Sequence, residues 1–244
     1  MSPPDLDSLT PSDLRSRRTL KWTTYDADVL PLWVAEMDYP TAPPILEAIT
    51  RAVRDETLGY PSSILERELG DAVAAWSMQR FGWAVDPFRV HSAGNVMHGL
   101  RLALTYYSAP SDPVILTTPA YPPFFDVVAL ARRPQVHVPM TRAAEGRPTL
   151  DLPAIDAAFG AGARTLVLCH PHNPLGRVFT RAEPSDLAEV VAGHGGRVVS
   201  DEIHGSLVYD DAAYVPYAAI SPQTAAHTVT VSAASKAWNL PGLM

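Results

Sequence analysis

Five short apolar runs constrain this chain more than any other feature. They lie at 113–117, 135–138, 165–169, 197–200 and 228–231. Each is too short for a buried helix and rich in Val, Leu, Ile and Thr, so each reads as a strand. The runs at 113–117 and 165–169 show little polar alternation, as in strands covered on both faces. Segments of helical spacing separate them. At 45–56, Ile45, Ala48, Ile49, Ala52 and Val53 share one face. Helices are likewise expected at 65–81, 95–107, 121–132 and 152–159, and around 187–192. Strands alternating with helices give an α/β fold with a mainly parallel sheet flanked by helices. Such a sheet gathers the carboxyl ends of its strands along one edge, where ligands bind.

Composition narrows the class. With 19 Lys and Arg against 26 Asp and Glu, the net charge is −7, a poor basis for nucleic-acid binding. The single cysteine, Cys169, excludes an intrachain disulfide. No apolar run reaches the roughly 18 residues of a membrane span, and the polar, Pro- and Ser-rich start has no signal-peptide core. The expectation is a soluble cytoplasmic protein with no membrane or nucleic-acid partner. Residues 1–44 read as an N-terminal arm, loose up to residue 20, and 45–244 as the main domain. The chain stops soon after the last strand with no helix to cover it; either the sheet ends there or the chain is a fragment.

The polar residues behind three strands carry the chemistry. Run 165–169 leads into HPHNPLG with Asn173, run 197–200 into Asp201 and His204, and run 228–231 into Ser235 and Lys236. A lysine amine can form a Schiff base with an aldehyde. A carboxylate can keep a pyridine nitrogen protonated, so that the ring accepts electrons. An amide can hydrogen-bond a ring phenolate, and a glycine at a helix start can offer backbone N–H groups to a phosphate. Gly94 has that place, and Tyr121, behind the 113–117 run, can stack on a ring. The set fits pyridoxal 5'-phosphate. The bland readings are a solvated lysine, a capping aspartate, an Asn-Pro turn and a helix-start glycine. Each holds for its residue alone, but not for all of them in this order.

The ordered motifs LWVAEMD (32–38), GYP (59–61), SAG (92–94), PAY (119–121), NPLG (173–176), SDEIH (200–204) and SKAWNLPG (235–242) resemble the fold-type I, aminotransferase-like pyridoxal-phosphate family. They are most similar to its cystathionine β-lyase/cysteine-S-conjugate β-lyase branch, from about Leu30 to the chain end. The resemblance implies that Lys236 is the Schiff-base lysine and moves the α-proton. It implies that Asp201 pairs with the pyridine nitrogen and Asn173 with the ring oxygen, His204 close by, and that Tyr121 stacks. Gly94, Asn95 and Val96 would hold the phosphate with Ser235. Tyr60 would reach the phosphate on a neighbouring subunit, implying a homodimer.

The implied activity is cleavage of cystathionine or other cysteine S-conjugates to a thiol, pyruvate and ammonia. The alternatives are a class I/II aminotransferase, or an inactive fragment or regulatory remnant of the same fold. Two departures stand out. Ala233 occupies the place, three residues before the lysine, where the family often has serine. The resemblance also implies a small C-terminal domain that supplies an arginine for the substrate carboxylate, and the expectation is that these 244 residues do not include it.

Other residues keep structural readings. His170 and His172 are expected not to bind metal, for want of a third ligand near in sequence. Cys169 reads as a buried small hydrophobe. Tyr106 and Tyr107 are expected to close the 95–107 helix against the sheet.

Overall fold

A computed structural model describes residues 8–243 of the protein. The described residues form two units. One runs through Tyr60 and includes those from Ala234 on; the other is Pro61–Ala233.

The Pro61–Ala233 unit is built on five parallel strands: β1 (Val114–Thr118), β2 (Gln135–Pro139), β5 (Thr165–Cys169), β6 (Arg197–Asp201) and β7 (Thr228–Val231). Their order is β2-β1-β5-β6-β7, with every pairing parallel. A separate hairpin joins β3 (Thr141–Arg142) to β4 (Pro148–Thr149). The helices are α4 (Ser63–Phe81), α5 (Val96–Tyr107), α6 (Pro123–Leu130), α7 (Leu152–Gly160), α8 (Ala182–Gly193) and α9 (Pro222–His227).

Strand alternation divides the core into two layers. Ile115, Leu166, Leu168 and Val198 join Ile155 and Phe159 of α7 and Leu187 and Val191 of α8. Val114, Leu116, Val167 and Val199 join Leu100 and Leu104 of α5 and Phe124 and Val128 of α6. The central strands β1, β5 and β6 are therefore dry on both faces, which is why they read as apolar runs, while β2 and β7 at the sheet's two edges are only partly buried.

Helix ends follow local chemistry. The Ser62 side chain accepts from the Leu65 N–H at the start of α4, and Gly82, at φ 63°, closes that helix in the left-handed conformation. The Asn95 side chain caps α5 by accepting from the His98 N–H.

The other unit holds α1 (Pro11–Ser16), α2 (Leu20–Thr23) and α3 (Pro43–Arg54). The expected loose arm up to residue 20 is thus partly helical: Thr10 and Asp13 form a reciprocal capping box with Pro11 in the first turn. Asp38 ties this unit together, accepting from Lys21 Nζ at 2.7 Å and Trp22 Nε1 at 2.6 Å. Helix α3 has the expected apolar stripe but buries none of it. Residues 30–33 form no strand.

Tyr106 departs from expectation. Leu100, Ala103 and Leu104 face the sheet, and helical spacing turns residue 106 to the opposite side, where it is 80% exposed. Tyr107 is half-exposed and lies under the Arg197 guanidinium, 5.2 Å from its ring.

Arg133 is buried without a salt-bridge partner among the described residues. Its guanidinium donates to the carbonyls of Ala131 (2.5 Å) and Ser108 (2.6 Å), to Ser108 Oγ (2.9 Å), and to Leu104 and Thr105 at the end of α5. A cation there complements the helix dipole and satisfies the last carbonyls. Arg133→Met should cost about 2–4 kcal/mol, because those acceptors stay buried. Thermal denaturation should show a drop of roughly 5–15 °C for a unit this size; an unchanged melting temperature would refute the role.

Candidate active site

In Pro61–Ala233, the sheet brings the candidate residues to one edge. Strand order reverses between β1 and β5, since β1 leads to β2 on one side and lies against β5 on the other. Such a reversal opens a crevice at the carboxyl ends. Tyr121 follows β1 and Asn173 follows β5. Cys169 pairs in register with Asp201, and the His170 N–H donates to the Asp201 carbonyl at 2.9 Å. Asn173 is drawn back over this pair by its N–H, 3.3 Å from Cys169 Sγ.

Asp201 ends β6 and is 4% exposed. Its carboxylate accepts from the Ile203 N–H at 3.1 Å. Burial pushes the group up to about 6, and the Ile203 hydrogen bond offsets part of that rise. A buried carboxylate accepting one backbone N–H at an open sheet edge suits a protonated ring nitrogen as its charge partner.

The helix start expected to hold an anion, Gly94–Asn95–Val96, lies at the same edge. Helix α5 packs across β6 and β7, and a side chain added at Gly99 would stand 3.4 Å from Val231 Cγ1, at the end of β7. The first N–H groups of a helix have no carbonyl within it to meet. Here the Gly94 N–H donates to His98 Nδ1 at 3.2 Å, a contact the sequence did not suggest. Tyr121 is partly exposed and meets Phe124 edge-on at 5.6 Å. His204 begins the tight turn at Gly205–Leu207.

The remaining candidates, Tyr60, Ser235 and Lys236, belong to the other unit. Lys236 Nζ donates to the Ala35 carbonyl at 2.8 Å, and Asn239 Nδ2 to the Tyr39 carbonyl at 2.8 Å. The lysine motif is thus fastened to the 32–38 motif, which Asp38 fastens to α2. Partial burial lowers the Lys236 pKa, with the Glu36 carboxylate pulling the other way. That direction favours a neutral amine able to act as nucleophile or base. Tyr60 is fully exposed.

Sequence reasoning passed over Glu202. Its carboxylate is 5% exposed and accepts from Ser200 Oγ (2.7 Å), Tyr214 OH (2.5 Å) and the Tyr217 N–H (3.0 Å). The available signal was a second carboxylate behind a strand, on the side opposite Asp201.

His170 and His172 are buried, with their Nδ1 atoms unpartnered; burial pushes both rings down to about 4, so they are neutral near pH 7. No group of three metal-ligating side chains exists among the described residues. Cys169 is buried, its thiol pushed up to about 12 by burial, as its packing role requires.

The family model for aminotransferase class I and II matches residues 27–243. The chain belongs to that family. It is 38% identical over 231 residues to the cystathionine β-lyase of Corynebacterium glutamicum, covering 95% of this chain and 60% of that one. It is 34% identical over 217 residues to the cystathionine β-lyase PatB of Bacillus subtilis, covering 88% of this chain and 55% of that one. Among solved structures, a Corynebacterium diphtheriae protein assigned as a PLP-dependent β-cystathionase is 38% identical. It superposes with a TM-score of 0.86, covering 96% of this chain and 60% of that one. The chain therefore spans about 60% of the length of these relatives. No helix among the described residues is long and apolar enough to cross a membrane.

The raised Asp201 carboxyl makes a prediction for the cofactor-free chain. Its folded pKa, about 6, lies above the unfolded 3.8. Ionisation therefore opposes folding as pH rises from about 4 to 6, and the loss levels off above that. Asp201→Asn removes this penalty, so relative to wild type the variant should gain up to about 3 kcal/mol across that window. Urea unfolding at a series of pH values measures the difference; a pH-independent difference would show that Asp201 is not desolvated.

Proposed function

We propose that the protein binds pyridoxal 5'-phosphate and acts as a carbon–sulfur β-lyase on cystathionine or related cysteine S-conjugates, releasing a thiol, pyruvate and ammonia. The observation that carries this reading is Asp201, a buried carboxylate at the end of β6 on the carboxyl edge of the sheet. The higher identity to cystathionine β-lyases, 38% and 34%, than to N-succinyldiaminopimelate aminotransferases, 30%, supports the reaction class.

The residues fit the group by their chemistry. Lys236, its pKa lowered by burial, would carry the cofactor aldehyde and move the substrate α-proton. Asp201 would hold the ring nitrogen protonated, and Asn173 would donate its side-chain amide to the ring oxygen. Tyr121 would cover one ring face, with His204 near. Gly94, Asn95 and Val96 would meet the phosphate through their N–H groups, joined by Ser235. When bound, the cofactor supplies an electron-accepting ring that stabilises negative charge at the substrate α-carbon. Exclusion of water from the carboxyl edge would strengthen the Asp201 charge pair.

We further propose a cytoplasmic homodimer in which Tyr60 reaches the neighbouring subunit's phosphate. Its full exposure supports a role directed outward.

The test is the chain incubated with pyridoxal phosphate and cystathionine. Pyruvate and a thiol should form together. Lys236→Ala should lower turnover by about 10²–10⁴-fold, the range for losing a positioned base. Asp201→Asn should lower turnover while leaving cofactor affinity within about tenfold, since the phosphate and lysine contacts remain. Amino transfer to a keto acid without pyruvate would replace the lyase reading with an aminotransferase. Cofactor binding without either reaction would identify an inactive remnant.

A further inference from the structure

Glu202 is a buried carboxyl group that the proposed chemistry does not use. Its two oxygens meet three donors, one from its own strand and two from the 205–217 segment. Oε1 accepts from Ser200 Oγ at 2.7 Å and the Tyr217 N–H at 3.0 Å, and Oε2 accepts from Tyr214 OH at 2.5 Å. Its backbone is equally committed. The Glu202 N–H donates to the Val231 carbonyl at 2.9 Å, and its carbonyl accepts from the Gly205 N–H at 2.9 Å. One residue thus joins the ends of β6 and β7 to the 205–217 segment.

Tyr214 is held as tightly. A side chain at Gly205 would stand 2.9 Å from its ring and hydroxyl, so only glycine lets the backbone come this close. The His170 ring lies 4.9 Å from the Tyr214 ring, and Phe81 meets it edge-on at 5.2 Å. A phenol packed on three sides has one place for its hydroxyl, and the Glu202 carboxylate occupies it.

The neighbour of Glu202 along the strand is Asp201. Alternation sends the two carboxylates to opposite faces of β6, so movement of one rotates the peptide that carries the other. Asp201 has few restraints of its own: its side chain accepts the Ile203 N–H, within the same turn. A carboxylate serving a ring nitrogen needs a fixed position, since rate is lost steeply with small misplacement.

We propose that Glu202 is a positioning residue for Asp201: gripped by Ser200, Tyr214 and the Tyr217 N–H, it locks the end of β6 to the 205–217 segment and so fixes where Asp201 presents its carboxylate. This rests on the pyridoxal-phosphate reading only for the purpose of the positioning, not for the positioning itself.

Two variants probe it. Tyr214→Phe removes one donor and keeps the ring packing; Glu202→Gln keeps the volume and removes the charge. The first readout needs no cofactor. In chain labelled with carbon-13 at aspartate carboxyls, the Asp201 signal, assigned by its loss in Asp201→Asn, should shift in Tyr214→Phe while circular dichroism stays that of wild type. The second readout is pyridoxal-phosphate affinity. Tyr214→Phe should weaken it by about fivefold, equivalent to ~1 kcal/mol, but should cost nothing more when Asp201 is already Asn. A merely structural Glu202 would lower stability yet leave the Asp201 signal in place, and its effect on affinity would add to that of Asp201→Asn; either result overturns the proposal. If Glu202→Gln fails to fold, Tyr214→Phe alone decides. If wild type binds no pyridoxal phosphate, the functional reading falls, while the Asp201 signal still decides the role of Glu202.

Discussion

Parallel pairing of β5 with β6 is the constraint on which the rest of the Pro61–Ala233 unit depends. It sets Cys169 beside Asp201 and sends both strands out at the same edge. A parallel sheet must return each strand through a crossover, so its two faces are buried under helices and only the edge of carboxyl ends stays open to chemistry. The same register explains the electrostatics there. Asp201 and Glu202 leave the core still buried, and burial raises both, to about 6 and about 7. Only Glu202 is surrounded by donors; Asp201 retains acceptor capacity for a ligand.

The other unit is organised by different physics. Asp38 satisfies the ammonium of Lys21 and the indole of Trp22, and the neighbouring backbone carbonyls of Ala35 and Tyr39 receive Lys236 and Asn239. Two motifs some 200 residues apart in sequence are thereby one structural element. The lysine is restrained and partly desolvated before any ligand arrives, which lowers its pKa and reduces the rotamer freedom it would lose on reacting.

Much of the sheet was legible because its signal is local. Run 165–169 coincides with β5, where burial on both faces leaves little room for polar residues, and run 228–231 coincides with β7, a partly buried edge strand whose β-branched Thr and Val carry the signal. Helices α4 and α5 were legible from apolar spacing, whereas their caps at Ser62 and Asn95 emerged only in the fold. Helix α1 was missed because a Pro- and Ser-rich stretch reads as a loop, although Thr10 and Asp13 carried its capping signal. Helix α9 was missed because it is short and starts on a proline after Ser221. Asp201, Asn173 and Tyr121 were legible as strand-end residues. Glu202 was not, because its significance lies in Tyr214 and Tyr217, whose approach only the tertiary fold brings about. The contact of His98 with the Gly94 N–H was hidden for the same reason.

The amine that the cofactor joins is the most direct point of test. Incubation with pyridoxal phosphate, reduction with borohydride and peptide mapping would fix the cofactor to its attachment point in a mass-readable form. A single labelled peptide is expected, the one carrying Lys236, with Lys21 unmodified because its ammonium is buried against Asp38. Label on Lys21, or no label on a folded chain, would contradict it.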